Sequence, residues 1–180
     1  IASRDNKAAR LVQEVMAMPY FRTYTSEDIL GVEFGGALKN VMAVASGIVE
    51  GLGYGQNTRA ALITRGLAET IRLGNNVGAH PLTFAGLSGI GDLVLTCTST
   101  LSRNYRVGID IGRGKKVDDI LTHMKMVAEG VHTTRAAYAL ASKHSIDMPI
   151  VSEIYKVLFE QKPPRQAVQD LMNRDLKQEI

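Results

Sequence analysis

Apolar residues recur at spacings of three and four along most of the chain. Phe34, Leu38, Val41, Met42, Ala45, Ile48 and Leu52 form one continuous stripe and predict a helix over 33–52. The same periodicity predicts helices over 58–77, 85–96, 103–113, 117–124, 130–144, 149–160 and 164–173. Glycine or proline marks each break: Gly53-Tyr54-Gly55, Gly78-Ala79-His80-Pro81, Gly112-Arg113-Gly114, Asp147-Met148-Pro149 and Pro163-Pro164. Residues 31–180 therefore read as one mainly α, glycine-rich, all-helical domain. Residues 1–30 have another pattern. Ala8, Ala9, Leu11, Val12, Val15 and Met16 make a helix face, Pro19 ends it, and Tyr20 to Thr25 alternates as a strand does. With the lead-in Ile1-Ala2-Ser3, this reads as a β-α-β piece of an α/β unit, too small to stand alone.

Composition narrows the reading without changing it. The chain has 180 residues, 45% hydrophobic and 6% aromatic, with no Trp, a mixture suited to closely packed helices rather than a β-sandwich. The 21 basic and 18 acidic residues leave a net charge of +3, too small and too dispersed to argue for nucleic acid. One cysteine, Cys97, excludes an internal disulfide framework and fits a reducing compartment; beside Val94, Leu95 and Thr96 it reads as an inert core thiol. No apolar run is expected to approach the ~20 residues that a membrane span requires. The four histidines (His80, His123, His132 and His144) lack metal-ligand spacing, so no metal is expected. No Gly-x-Gly-x-x-Gly follows a strand, and the start at Ile1 fits a piece of a longer chain.

Three segments could carry chemistry. The first is Gly35-Gly36-Ala37-Leu38-Lys39-Asn40-Val41, a lysine set in an otherwise apolar helix. A glycine inside a helix costs roughly 1 kcal/mol relative to alanine. Gly35 and Gly36 lie one turn before Lys39 and Ala43 one turn after, so small neighbours are expected to leave room around the ammonium. The second is Ser88-Gly89-Ile90-Gly91-Asp92-Leu93. Asp92 fits either a capping aspartate or a carboxylate aimed at a substrate hydroxyl or at Lys39. The third, Thr98 to Arg106, crowds hydroxyls at a helix start, followed by Arg103 and Asn104. It suits a phosphate, and equally plain capping with solvated arginines. Val127-Ala128-Glu129-Gly130 marks a turn and, alone, nothing more.

In this order, Gly35-Gly36-Ala37-Leu38-Lys39-Asn40-Val41, Leu87-Ser88-Gly89-Ile90-Gly91-Asp92-Leu93, Ser102-Arg103-Asn104-Tyr105 and Glu129-Gly130 resemble the NAD(P)-dependent glycerol-3-phosphate dehydrogenase family of bacterial type. The likeness runs over essentially all of residues 1–180. It implies a helical substrate domain at 31–180, like the C-terminal domain of 6-phosphogluconate dehydrogenase, behind the end of a Rossmann-type cofactor domain at 1–30. The implied reaction interconverts dihydroxyacetone phosphate and sn-glycerol 3-phosphate with NAD or NADP. Lys39 would be the catalytic lysine, with Asp92, Ser102, Arg103 and Asn104 as further substrate contacts and Thr96 as a weaker candidate beside Asp92. Arg103, Val127 and Glu129 would touch the cofactor, which the absent N-terminal domain would mainly hold. The resemblance also implies a cytoplasmic homodimer feeding glycerophospholipid synthesis, and a fragment inactive by itself. Two rivals remain: the helical domain of a 6-phosphogluconate- or ketopantoate-type dehydrogenase, and a non-catalytic helical oligomerisation module, since glycine-rich helices also suit subunit packing.

Overall fold

The long apolar stripe becomes a helix around which the others are arranged. The computed structural model describes residues 1–123, 128–176 and 178. In chain order the helices are α1 (Asn6–Met16), α2 (Ile29–Gly51), α3 (Gln56–Asn76), α4 (Asp92–Thr98), α5 (Arg103–Gly112), α6 (Val117–His123), α7 (Glu129–Lys143), α8 (Pro149–Phe159) and α9 (Pro164–Met172). Helix α2 touches α3, α4, α5, α7 and α8, and its residues from Asn40 to Val49 are all buried. By length and composition α2 could cross a membrane, against the sequence expectation, but 67% of its most apolar 18-residue window is buried inside the protein. Its hydrophobicity is used on other helices.

The closest of those partners is α5, and glycines explain why. A Cβ on Gly47 would lie 2.1 Å from the Tyr105 carbonyl oxygen, and one on Gly108 would lie 2.1 Å from that of Val44. One turn on, Gly51 and Gly112 stand in the same relation to Ile109 and Ile48, at 2.3 and 2.5 Å. Two small-residue pairs at i, i+4 thus face each other and let the backbones touch. Side chains would hold them apart, since interhelical distances ordinarily run ~8–10 Å.

The helix expected over 85–96 is broken. A 3-10 turn (Pro81–Ala85) and a π turn (Leu87–Gly91) precede α4, and together they form a strap over residues 81–91. Gly89 leaves helical geometry at φ −101° and ψ −107°, and a Cβ there would meet the Phe84 carbonyl oxygen at 2.1 Å. Three glycines within six residues permit this crumpling, and apolar periodicity alone cannot register it.

No strand forms among the described residues. In place of the expected β-α-β piece there are single bridges: a parallel one between Ala2 and Ser26, and an antiparallel one between Met18 and Phe21. Helix α1 does form, with Asp5 accepting from the N–H groups of Lys7 and Ala8. A strand needs an adjacent strand to satisfy its backbone, and among the described residues the pairing at Ala2 and Ser26 stops at one bridge, closed by the Ser3 N–H to Ser26 and the Ser26 N–H to Ile1. The apolar face of α1 is exposed at Leu11, Val12, Val15 and Met16.

Away from α2, one buried carboxylate organises α8. Glu69, 1% exposed, accepts from the backbone N–H groups of Ile150 at 2.7 Å and Val151 at 3.2 Å, capping a helix whose own N-cap, Met148, cannot. Burial pushes its carboxyl up to about 7, although both hydrogen bonds pull the other way.

Candidate active site

Helix α2 places Lys39 where the apolar stripe gives way to an opening. Its Nζ donates to Asp92 Oδ2 on α4, and the two side chains are 23% and 33% exposed. Thr96, one turn beyond Asp92, donates its hydroxyl to the Asp92 carbonyl at 2.6 Å and lies 3.2 Å from Asp92 Oδ1. The carboxylate is therefore held from both sides. Of the two readings open for Asp92, capping and pairing with Lys39, the structure contains the second: Asp92 binds the ammonium, while Gly91 is the N-cap of α4 and no side chain caps that helix. Asp92 lies in its first turn, where the helix dipole favours a carboxylate.

The glycines beside Lys39 divide by role. A Cβ on Gly35 would lie 2.4 Å from the Ser88 carbonyl oxygen, so this glycine admits the strap. A Cβ on Gly36 would meet nothing within 4 Å. Ala43 is fully buried in the core. The room expected around the lysine is thus on the Gly36 side; Gly35 and Ala43 serve packing.

Asn104, Arg103 and Ser102 begin α5. Ser102 caps it, its Oγ accepting from Tyr105 N–H at 3.3 Å. Asn104 is buried; its Nδ2 donates to Asn40 Oδ1 at 2.9 Å and its Oδ1 accepts from Gly130 N–H at 2.9 Å. Asn40 in turn donates to the Gly36 carbonyl at 3.3 Å and to Glu129 Oε2 at 3.4 Å. One amide pair therefore joins α2, α5 and α7 beside Lys39. Sequence reasoning missed Asn40, whose signal was an asparagine, a poor interior helix former, inside an apolar stripe and next to the lysine. Among the described residues no side chain pairs with the half-buried Arg103 guanidinium. Glu129 is exposed at the first turn of α7, and Val127 lies outside the described residues.

This set offers a lysine held by a carboxylate, an arginine without a side-chain partner among the described residues one position from the Asn40–Asn104 contact, and open space at Gly36. Cys97 lies behind it, fully buried; burial pushes its thiol up to about 12, which suits an inert role. No group of three metal-ligating side chains occurs among the described residues.

Comparison with known proteins gives this arrangement a family. The family model for the NAD-dependent glycerol-3-phosphate dehydrogenase C-terminus matches residues 28–169. The chain belongs to that family. It is 60% identical over 178 residues to the glycerol-3-phosphate dehydrogenase [NAD(P)+] of Geobacter sulfurreducens, covering 99% of this chain and 53% of that one. The enzyme of the same name from Staphylococcus haemolyticus is 55% identical, with 99% and 54% covered. Among solved structures, the Coxiella burnetii glycerol-3-phosphate dehydrogenase superposes with a TM-score of 0.93 at 42% identity, over 96% of this chain and 53% of that one. The yeast enzyme gives 0.83 at 28% identity, over 92% and 48%. The chain spans about half the length of the curated dehydrogenases it matches.

Proposed function

We propose that this chain is the substrate half of an enzyme interconverting dihydroxyacetone phosphate and sn-glycerol 3-phosphate. The observation that carries this reading is the Lys39–Asp92 pair near the open space at Gly36, with Asn104, the residue after Arg103, bonded to Asn40 next to Lys39. Lys39 Nζ gives its proton to the C2 oxygen as the ketone is reduced and takes it back when the alcohol is oxidised. A positioned acid/base group contributes about 10²–10⁴-fold. Its ammonium also stabilises the developing alkoxide, a role strengthened by fixed orientation. Asp92 and Thr96 set that orientation, and Asp92 can accept from a substrate hydroxyl. Arg103 takes the phosphate through its forked N–H groups at the start of α5, with Ser102 alongside. Asn104 fixes Arg103 relative to Lys39 through Asn40.

A nicotinamide cofactor, NAD or NADP, supplies or accepts the hydride at C2. Arg103 and Glu129 suit its near edge: one is a cation without a side-chain partner among the described residues and the other an exposed carboxylate able to accept from ribose hydroxyls. Val127 is part of the same reading. The chain carries no glycine-rich phosphate turn after a strand, so the dinucleotide's main seat belongs to the half of the relatives that this chain does not match. Residues 1–30 are the end of that cofactor domain and 31–180 the substrate domain. On the strength of the family resemblance, the assembled enzyme is a cytoplasmic homodimer supplying glycerophospholipid synthesis.

Calorimetric titration of glycerol 3-phosphate into this chain tests the phosphate site. Binding heat should be measurable, and Arg103→Ala should reduce it at least several-fold. Identical heats for the two proteins would remove Arg103 from the reading.

A further inference from the structure

The Lys39–Asp92 pair joins two elements that are not sequence neighbours, and its geometry depends on how the strap lies on α2. Three contacts hold the strap there. At the start of α2, Asp28 accepts from Gly31 N–H at 2.9 Å through one oxygen. Through the other it accepts from His80 N–H at 2.9 Å and Thr83 Oγ1 at 2.6 Å, at the head of the strap. Gly31 lets this happen: a Cβ there would sit 2.0 Å from Asp28 Oδ2 and 2.8 Å from Thr83 Cγ2. One turn later Gly35 receives the Ser88 carbonyl. Another turn on, Lys39 meets Asp92, where the strap runs into α4. Residues 31, 35 and 39 are successive i, i+4 positions on one face of α2. The strap is thus laid along that face from a fixed head to a working tail.

We propose that Asp28 is a positioning residue of the active site, which seats the strap on the Gly31–Gly35 face and so delivers Asp92 to Lys39. The proposal rests on the catalytic reading of that pair given above. Asp28 touches neither of the two; it acts through the strap. Burial pushes its carboxyl up, but the hydrogen bonds from Thr83, Gly31 and His80 outweigh this and hold it below the usual carboxylate range, so these contacts favour the charged form.

The test begins with hydrogen exchange on this chain and on Asp28→Ala. Amides of residues 82–92 should exchange about 10-fold faster or more in the variant, while those of α5, α8 and the interior of α2 keep their rates. Unchanged strap amides, or equal acceleration everywhere, would overturn the proposal. The second arm measures turnover with this chain joined behind the N-terminal half of the Geobacter relative. Asp28→Ala should lower kcat about 10-fold with the KM for cofactor unchanged, and its loss should not multiply with that of Asp92→Asn. Asp28→Glu, which keeps the charge, should recover part of the rate. A loss that multiplies fully with Asp92→Asn would refute action through Asp92. If Asp92→Asn alone leaves turnover intact, the catalytic reading of the pair fails, whatever Asp28 does.

Discussion

The two ends of α2 use glycine in opposite ways. At the C-terminal end, Gly47 and Gly51 are pressed against the α5 backbone, and Gly108 and Gly112 return the contact. At the N-terminal end, Gly31 and Gly35 seat a strap, while Gly36, beside Lys39, faces open space. One end is closed by backbone on backbone; the other is left partly unfilled around a charge pair. The same residue type thus builds the rigid frame and the opening it surrounds. Substitutions at the two ends should fail in different currencies, stability at one and turnover at the other.

The strongest way to break that contrast is Lys39→Met, in this chain joined behind the N-terminal half of the Geobacter relative. Turnover should fall by about 10² or more, with the thermal midpoint little changed. Retained turnover would favour a purely architectural role for this helix. At the other end, Gly108→Ala should destabilise the chain by about 3 kcal/mol, because backbone must move to admit the methyl. Urea unfolding measures this, and a loss below about 1 kcal/mol would mean that α2 and α5 can separate cheaply.

Glu69 sharpens the contrast from within the frame. Its carboxyl binds protons more tightly folded, at about 7, than unfolded, near 4.5. Its contribution to stability is therefore present at low pH and is lost as pH rises from the unfolded value through the folded one. The urea midpoint should be higher at about pH 5 than at about pH 8, with a slope of at most about 1.4 kcal/mol per pH unit from this group. Glu69→Gln should flatten that slope. It should leave the binding of glycerol 3-phosphate as it was. The smallest effect is expected at Gly36→Ala, which should raise stability by up to about 1 kcal/mol, since the methyl meets nothing and the helix gains a better former. If the opening is where substrate sits, the same change should weaken binding in the calorimeter.

Much of this was legible in the sequence. Seven of the eight expected helices from residue 33 onward have counterparts in the structure, because their apolar positions face a core at helical spacing. Lys39, Asp92 and Ser102-Arg103-Asn104 could be singled out because charge or hydroxyls interrupt apolar or glycine-rich text. The strap departs from the helix expected over 85–96, since its shape comes from Gly89 fitting against the Phe84 carbonyl, a contact periodicity does not encode. Gly35, Gly36 and Ala43 share one expectation, room around Lys39, but only Gly36 faces open space; which of the three do so depends on where the strap and the core fall. The strand over Tyr20–Thr25 had suitable residues but only isolated bridges. Asn40 passed unnoticed because its importance lies in partners on α5 and α7, more than sixty positions away.

The amides beside the site have a sense of direction. A backbone N–H can only give, so Gly130 obliges Asn104 to present oxygen to it and NH₂ to Asn40. Asn40 must then answer with oxygen, which turns its own NH₂ toward the Gly36 carbonyl and Glu129. Two side-chain amides, bonded across three helices, are thereby oriented by one hydrogen. Asn104→Asp, nearly identical in shape, would put oxygen against oxygen at the second step. Turning Asn40 over to relieve it would set two further acceptors face to face. The arrangement reads in one direction only, and an error at its first word passes down the line to the turn that carries the lysine.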